Sequence, residues 1–281
     1  IHFDFMDPPP AETLIRALEQ LYALGALNDR GELTKLGRRM AEFPMDPQLS
    51  KMLIASDSHK CSAEVLSVCA MLQIGASIFY RPKERAMHAD NARVNFNRPA
   101  GDHLTLLNVW NQWAETNYSV QWCFENFIQV RSMRKARDIR EQIEALMERV
   151  EVELTSKPDS EDCICKSITA GFFYHTAKIQ KTLDYRTIKH PQTVHIHPSS
   201  ALHGSQPRWV VYHELVYTTK EFMRQIIEIK PEWLIEIAPH FYQKKDIDDD
   251  ANKKLPKAVG KTRAGAGNGS SGKSVANSAP S

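Results

Sequence analysis

The feature that most restricts how this chain can fold is a change of rhythm at "TSKPDSED", residues 155–162. Before it, apolar residues recur at three- and four-residue intervals, the spacing of helices that bury one face. After it come short runs rich in β-branched and aromatic residues, "TVHIHP", "RWVVYHELVY" and "QIIEIKPEWLIEIAP", separated by turns containing Pro, Gly and Ser. The expected fold class is therefore mainly α with a C-terminal β-barrel.

Within the first 60 residues, three short helices and a tight hairpin are legible. Leu14, Leu18, Leu21 and Tyr22 keep helical spacing after Pro8-Pro9-Pro10, and Gly25 suits the position just past a helix end. Asn28-Asp29-Arg30-Gly31 between two apolar stubs is a hairpin signal. Leu36, Met40 and Phe43 form the next stripe. Asp46-Pro47 reads as an N-cap with proline at the first helical position, launching a helix that carries Leu49, Met52 and Leu53. Helix, hairpin and helix resemble a degenerate winged helix over residues 1–60.

Residues 61–155 read as a helical bundle. Ser62 is placed to cap a helix bearing Val65, Leu66, Cys69 and Leu72, and Asp102 to cap one bearing Leu106, Val109, Trp110 and Trp113. A third helix is expected from Glu125 to Leu154, with Ala136, Ile139, Ile143, Leu146, Val150 and Leu154 in register. Residues 156–245, with one helix around Ile168 to Ile179, have the content of a small closed barrel such as an OB-fold. Residues 246–281 read as a flexible tail of Gly, Ala, Ser and Asn with scattered Lys.

That tail contains "GNGSSGKS", Gly267 to Ser274, which matches the phosphate-loop pattern G-x-x-x-x-G-K-[ST] letter for letter. Such a loop grips phosphate because a strand delivers it and a helix starts directly after it. Here only "VANSAPS" follows, so the pattern is read as coincidence. No run approaches a membrane span and no secretory signal is visible. Five cysteines without framework spacing fit a reducing compartment. The chain starts at Ile1 rather than Met, as expected of an excerpt from a longer protein.

The net charge is only +2, so a polyanion site has to come from local clustering. "RSMRKARDIR", residues 131–140, holds five bases and one acid. On a continuous helix Phe127, Arg131, Arg134 and Asp138 share a face away from the apolar stripe. There an aromatic ring and two guanidiniums can stack on bases and pair with phosphates of a single strand. A solvated face with an Arg134–Asp138 pair explains the same spacing equally well. Tyr185, Arg186 and Lys189, before a strand, are a second candidate, and Arg81 and Lys83, together with Arg85 in "YRPKER", a third; for both, a plain surface loop is the competing reading. His195 and His197 project from one face of a presumed strand, and Cys163 and Cys165 could add sulfurs, but the spacing is not that of a metal site. No catalytic or metal residue is assigned, nor any cofactor within this chain.

Several longer motifs, "FMDPPP", "GDHLTLLNVW", "VHIHPSS", "PEWLIEIAPHFY" and "GKTR", stand in an order that resembles the C-terminal region of DEAH-box RNA helicases, over residues 3–263. "CFENFIQVRSMRKARDIREQ" looks most like the spliceosomal branch acting before the first splicing step. The resemblance implies a winged helix, a ratchet-like bundle and an OB-fold packed against two upstream RecA-like domains that hold ATP and Mg²⁺. It implies that single-stranded RNA (pre-mRNA) threads along Asn126, Arg131 and Arg134. It also implies a G-patch activator protein, spliceosome components as partners and a nuclear location. Without the RecA-like domains the chain itself is expected neither to hydrolyse ATP nor to unwind a duplex. The alternative is a free-standing winged-helix nucleic-acid-binding or scaffold protein, with Lys35, Arg38 and Arg39 on its candidate recognition helix.

Overall fold

The computed structural model describes residues 6–74 and 78–248; the "GNGSSGKS" and "GKTR" stretches lie outside the described residues. Helix α1 (Ala11–Ala23) starts directly after the proline run and ends at Leu24, with Gly25 at φ 77°. Its stripe is shallower than expected, with Leu14, Leu18 and Leu21 half-buried and Tyr22 at 50% exposure. Asn28 makes the turn, its Oδ1 accepting from the amides of Arg30 and Glu32, and Leu27 bridges Leu33 as the wing. Helix α2 (Lys35–Ala41) is capped by Thr34, whose side chain accepts from the Gly37 amide. Helix α3 (Pro47–His59) begins where Asp46-Pro47 places it, although the Asp46 side chain makes no capping hydrogen bond.

Helix α4 (Ser62–Leu72) is buried at every residue except Ala63, which is half-buried, and packs against α3 and three later helices. Helices α5 (Ala86–Val94), α6 (Asp102–Glu115), α7 (Val120–Glu125), α8 (Val130–Met147) and α9 (Glu161–Phe172) follow. The helix expected from Glu125 to Leu154 is thus shorter: Glu125 ends α7, a turn follows, and α8 runs only from Val130 to Met147. Leu154, expected in its stripe, is 46% exposed because the helix has ended before it.

The barrel is closed in the order β1-β2-β3-β5-β4 from β1 (Thr176–Ile179), β2 (Tyr185–Thr187), β3 (Thr193–Ile196), β4 (Trp209–Tyr217) and β5 (Glu221–Glu228). Only the β3–β5 pairing is parallel. Ala177, Tyr185, Val194, Val210, Met223 and Ile226 fill its interior. The helix expected at Ile168 to Ile179 instead ends at Phe172, and β1 takes over from Thr176. "KPEWLIEIAP", expected as strand, is helix α10 (Pro231–Ile237), with Pro231 in its first turn, where the missing amide costs nothing. A short α11 (Lys244–Asp248) closes the described chain.

Winged helix, bundle and barrel share one core, beside smaller clusters inside the barrel and at the α6–α8 side of the bundle. One apolar cluster runs through Leu53 of α3, Leu66 of α4, Met147 of α8, Ile168 of α9, Trp209 of β4 and Trp233 of α10. Helix α3 crosses α9 closely: a Cβ added at Gly171 would lie 2.3 Å from the Gln48 carbonyl oxygen. Gly171→Ala is expected to destabilise the fold by about 2–3 kcal/mol, read by denaturant titration, because backbone rather than a flexible side chain has to move.

The three units also meet at a cluster of histidines, His103 fully buried and His175 and His213 half-buried. His103 of α6 has neither ring nitrogen hydrogen-bonded among the described residues, and lies 6.5 Å from the Phe172 ring. His175 stacks on Tyr212 at 5.0 Å and faces Gln48 of α3, and His213 of β4 lies 5.2 Å from Phe172. Burial pushes His103 down to about 3 and His175 down to about 4, from 6.5, and lowers His213 as well. The unfolded chain therefore takes up protons that the folded chain refuses. Stability is full above about pH 6.5 and drains as pH falls toward 4, by about 1.4 kcal/mol per pH unit for each such histidine. Urea titrations at neutral and acid pH are expected to show this loss, and His103→Leu is expected to remove one histidine's share of it without destabilising the chain at neutral pH.

Candidate nucleic-acid interface

After α7 the chain turns through Phe127 at φ 55°, and this turn decides which sequence candidates face solvent. Ile128 bridges Phe79, the Tyr80 amide donates to the Phe127 carbonyl at 3.0 Å, and the Gln129 amide donates to Ile78 at 2.8 Å. These bonds stitch residues 78–80 beside 127–129, so two candidate segments far apart in sequence become neighbours. Phe127 itself is only 7% exposed; its ring lies 5.8 Å from Tyr80 and under the Arg85 guanidinium at 5.4 Å. It is therefore a packing residue, not the base-stacking surface expected from an unbroken helix. Asn126 is half-buried, and its amide nitrogen donates to the Trp122 carbonyl at 2.9 Å.

Arg131 and Arg134 are exposed in the first two turns of α8, where the positive end of the helix dipole adds to their charge. The Arg134–Asp138 pair of the competing solvated-face reading is not formed among the described residues. Ion pairs start one turn later, Arg137–Glu141 at 3.8 Å and Arg140–Glu144 at 2.5 Å. Arg137 and Arg140 also lie over the rings of Tyr118 and Trp110, at 5.4 and 5.8 Å. Of the five bases in 131–140, Arg131, Arg134 and Lys135 thus face water, while the other two are held against an aromatic wall. Lys135 was not singled out from the sequence; helical phase alone does not tell which cations the wall takes. Arg81, between α4 and α5, makes two bonds to Asp90 at 2.7 and 2.9 Å, an exposed pair of small net worth. Lys83 is exposed beside it in a 3₁₀ turn.

The barrel candidate lies on other elements, β2 and the turn that follows it. Tyr185 lies within β2 and is 1% exposed, its hydroxyl donating to the Pro207 carbonyl at 2.6 Å, so it is core and not ligand surface. Arg186 is exposed, and Lys189 lies over Phe241 at 4.6 Å. His195 and His197 do share the outer face, opposite buried Val194 and Ile196. His195 lies 3.2 Å from Asp184, and His197 bonds Ser199 at 2.7 Å. Cys165 is buried on α9, and among the described residues no group of three His, Cys, Asp or Glu is arranged to hold a metal ion. On the winged helix, Arg39 donates to the carbonyls of Val150 and Glu151, so α2 spends a cation on holding the end of the bundle.

Bundle and barrel are joined along β5. Gly101, at φ 126°, bridges Ile227, and a Cβ there would lie 2.2 Å from the Ile226 oxygen. Asp102 is not a helix cap, since the N-cap is Gly101. Its carboxylate reaches across to accept from the amides of Ala201 at 2.7 Å and Ile226 at 2.9 Å. Burial raises the Asp102 carboxyl above its usual range, and these amides pull it back. Ser62 is not a cap either; its hydroxyl donates to Glu153 and accepts from the Thr155 amide, tying the chain that leaves the bundle. Beside the Asp102 latch, a cleft of about 350 Å³ opens between α5, α6 and the barrel.

Three family models match in chain order. These are the winged-helix form of the helicase associated domain (HA2) over residues 17–45, its ratchet-like form over 46–106, and an oligonucleotide/oligosaccharide-binding (OB)-fold over 164–242. Fold and matches together define a nucleic-acid-binding module. More particularly, the chain carries the C-terminal module of DEAH-box helicases. Arg81 and Lys83 fall inside the ratchet-like match, whereas Asn126, Arg131 and Arg134 fall between the matched stretches and rest on the geometry described above.

Asp102→Ala is expected to leave two strand and loop amides without acceptors, at a cost of roughly 2–3 kcal/mol. Hydrogen exchange is expected to speed up at Ala201 and Ile226 while the interior of α4 stays protected; unchanged exchange at both amides refutes the latch.

Proposed function

We propose that this module clamps single-stranded RNA for an ATP-dependent DEAH-box helicase of pre-mRNA splicing in the nucleus. The observation that carries the reading is the exposed Arg131 and Arg134 at the amino end of α8, directly after the turn 127–129 that is bonded to residues 78–80, the stretch leading into Arg81 and Lys83. Guanidiniums in this setting hold phosphates without reading sequence. ATP and Mg²⁺ chemistry belongs in this reading to RecA-like domains in cis, whose closure shifts the strand along the clamp. A G-patch activator docks on the winged helix and barrel. The exposure of Ile15 (55%) and Tyr22 (50%) on α1 supports a covering partner there.

Arg131→Ala and Arg134→Ala are expected to weaken binding of an unstructured RNA and to lower the slope of log affinity against log salt by about 0.7 per lost phosphate contact. Affinity and slope unchanged in both variants remove these residues from the clamp. A duplex DNA that outcompetes the single strand refutes the preference for RNA.

A further inference from the structure

The β4–β5 ladder is broken at one place. Tyr212 pairs with Ile226 and Glu214 with Arg224, but the intervening His213 and Gln225 are not paired. Gln225 sits there at φ 45°, a left-handed conformation that a glutamine in the body of a strand adopts at a cost. Both side chains end in a buried polar atom with no hydrogen-bond partner among the described residues, Gln225 Oε1 and His213 Nδ1. Both line the cleft beside the Asp102 latch. A strained residue that carries one unsatisfied group and sits beside another in the same cavity marks a place built to meet something else.

The rest of the cleft narrows the chemistry. Leu72, Phe79 and Leu106 give an apolar wall suited to a flat ring, Arg93 brings a cation to the same lining, and Arg224 is paired there with Glu214 at 3.2 Å. Arg93 is held there by a bond to the Ser199 carbonyl at 2.6 Å, with its guanidinium 4.9 Å from the Phe79 ring. Gln225 Oε1 needs an N–H donor. A carboxamide pairs naturally with adenine, accepting from the exocyclic amine and donating to the adjacent ring nitrogen. Guanine presents an oxygen where that amine would be. Phe79 also connects the cleft to the candidate clamp, because it is the residue bridged to Ile128 just before α8.

We propose that the cleft between α6 and the barrel receives one adenine base turned out of an RNA strand, read by Gln225 and His213. The assignment rests on the strand-clamping reading, and it adds base preference to a surface that otherwise holds only phosphates.

The test uses short uridine oligonucleotides, one plain, one with a single adenosine, and one with purine riboside, which lacks the amine, at that position. The adenosine strand is expected to bind about tenfold more tightly than the other two, since the analogue without the donor leaves the buried oxygen unpaired. Gln225→Asn keeps a residue type that tolerates the left-handed backbone while withdrawing the amide by one methylene, and is expected to make all three strands equal. Equal affinities in the unaltered chain overturn the proposal whatever the variant does. If no strand binds at all, the clamping reading fails and the cleft is tested alone with adenosine monophosphate. Saturable binding that Gln225→Asn abolishes upholds the adenine site, and absence of binding overturns it.

Discussion

The arrangement depends on a helix that cannot face water. Ten of the eleven residues of α4 are buried, including Ser62, Glu64 and Ser67, so other elements have to surround it. Helices α3, α6, α8 and α9 do so. Because α3 comes from the winged helix and α9 leads into the barrel, burying α4 draws three sequence units onto one core. At the edges of that core Ser62 bonds the departing chain at Glu153 and Thr155, and Glu64 Oε1 accepts from Ser156 and the Lys157 amide, while Glu64 Oε2 has no partner among the described residues. The closeness of α3 and α9 at Gly171 and the unpaired ring nitrogens of His103 are consequences of this dense packing.

The same packing sorts the charges. A helix with five bases in ten residues offers many cations, but Trp110, Trp113 and Tyr118 form an aromatic wall along one side. Arg137 and Arg140 settle against it, exchanging hydration for ring faces and carboxylate partners. What remains for a polyanion is the amino end of α8 and the segment paired beside it. The net charge of the chain says little about binding, because one wall of rings decides which charges are available.

Much of the architecture was legible in the residues. The stripes of α3, α4, α6 and α8, the turn at Asn28 and the alternation of Val194, His195, Ile196 and His197 all follow from local periodicity. The errors have a common cause. Asp102 and Ser62 have the residue types of helix caps and stand at helix starts, yet each bonds to backbone about 90 or more residues away. Tyr185 looked like a surface aromatic beside two bases, and strand alternation turned it inward. Phe127 has no local signal for a left-handed turn; the ladder with residues 78–80 holds it there.

The sequence alone determined the order and kind of the units, a winged helix, a helical bundle and a barrel, because hydrophobic period and turn chemistry are properties of neighbouring residues. Its longer motifs likewise pointed to the helicase module that the family models match. Only the tertiary structure decided which side chains are left to bind. Pairing between distant segments, the aromatic wall and the break at His213 and Gln225 depend on contacts that no local spacing encodes, and burial, not residue type, separates an arginine that can meet phosphate from one that cannot.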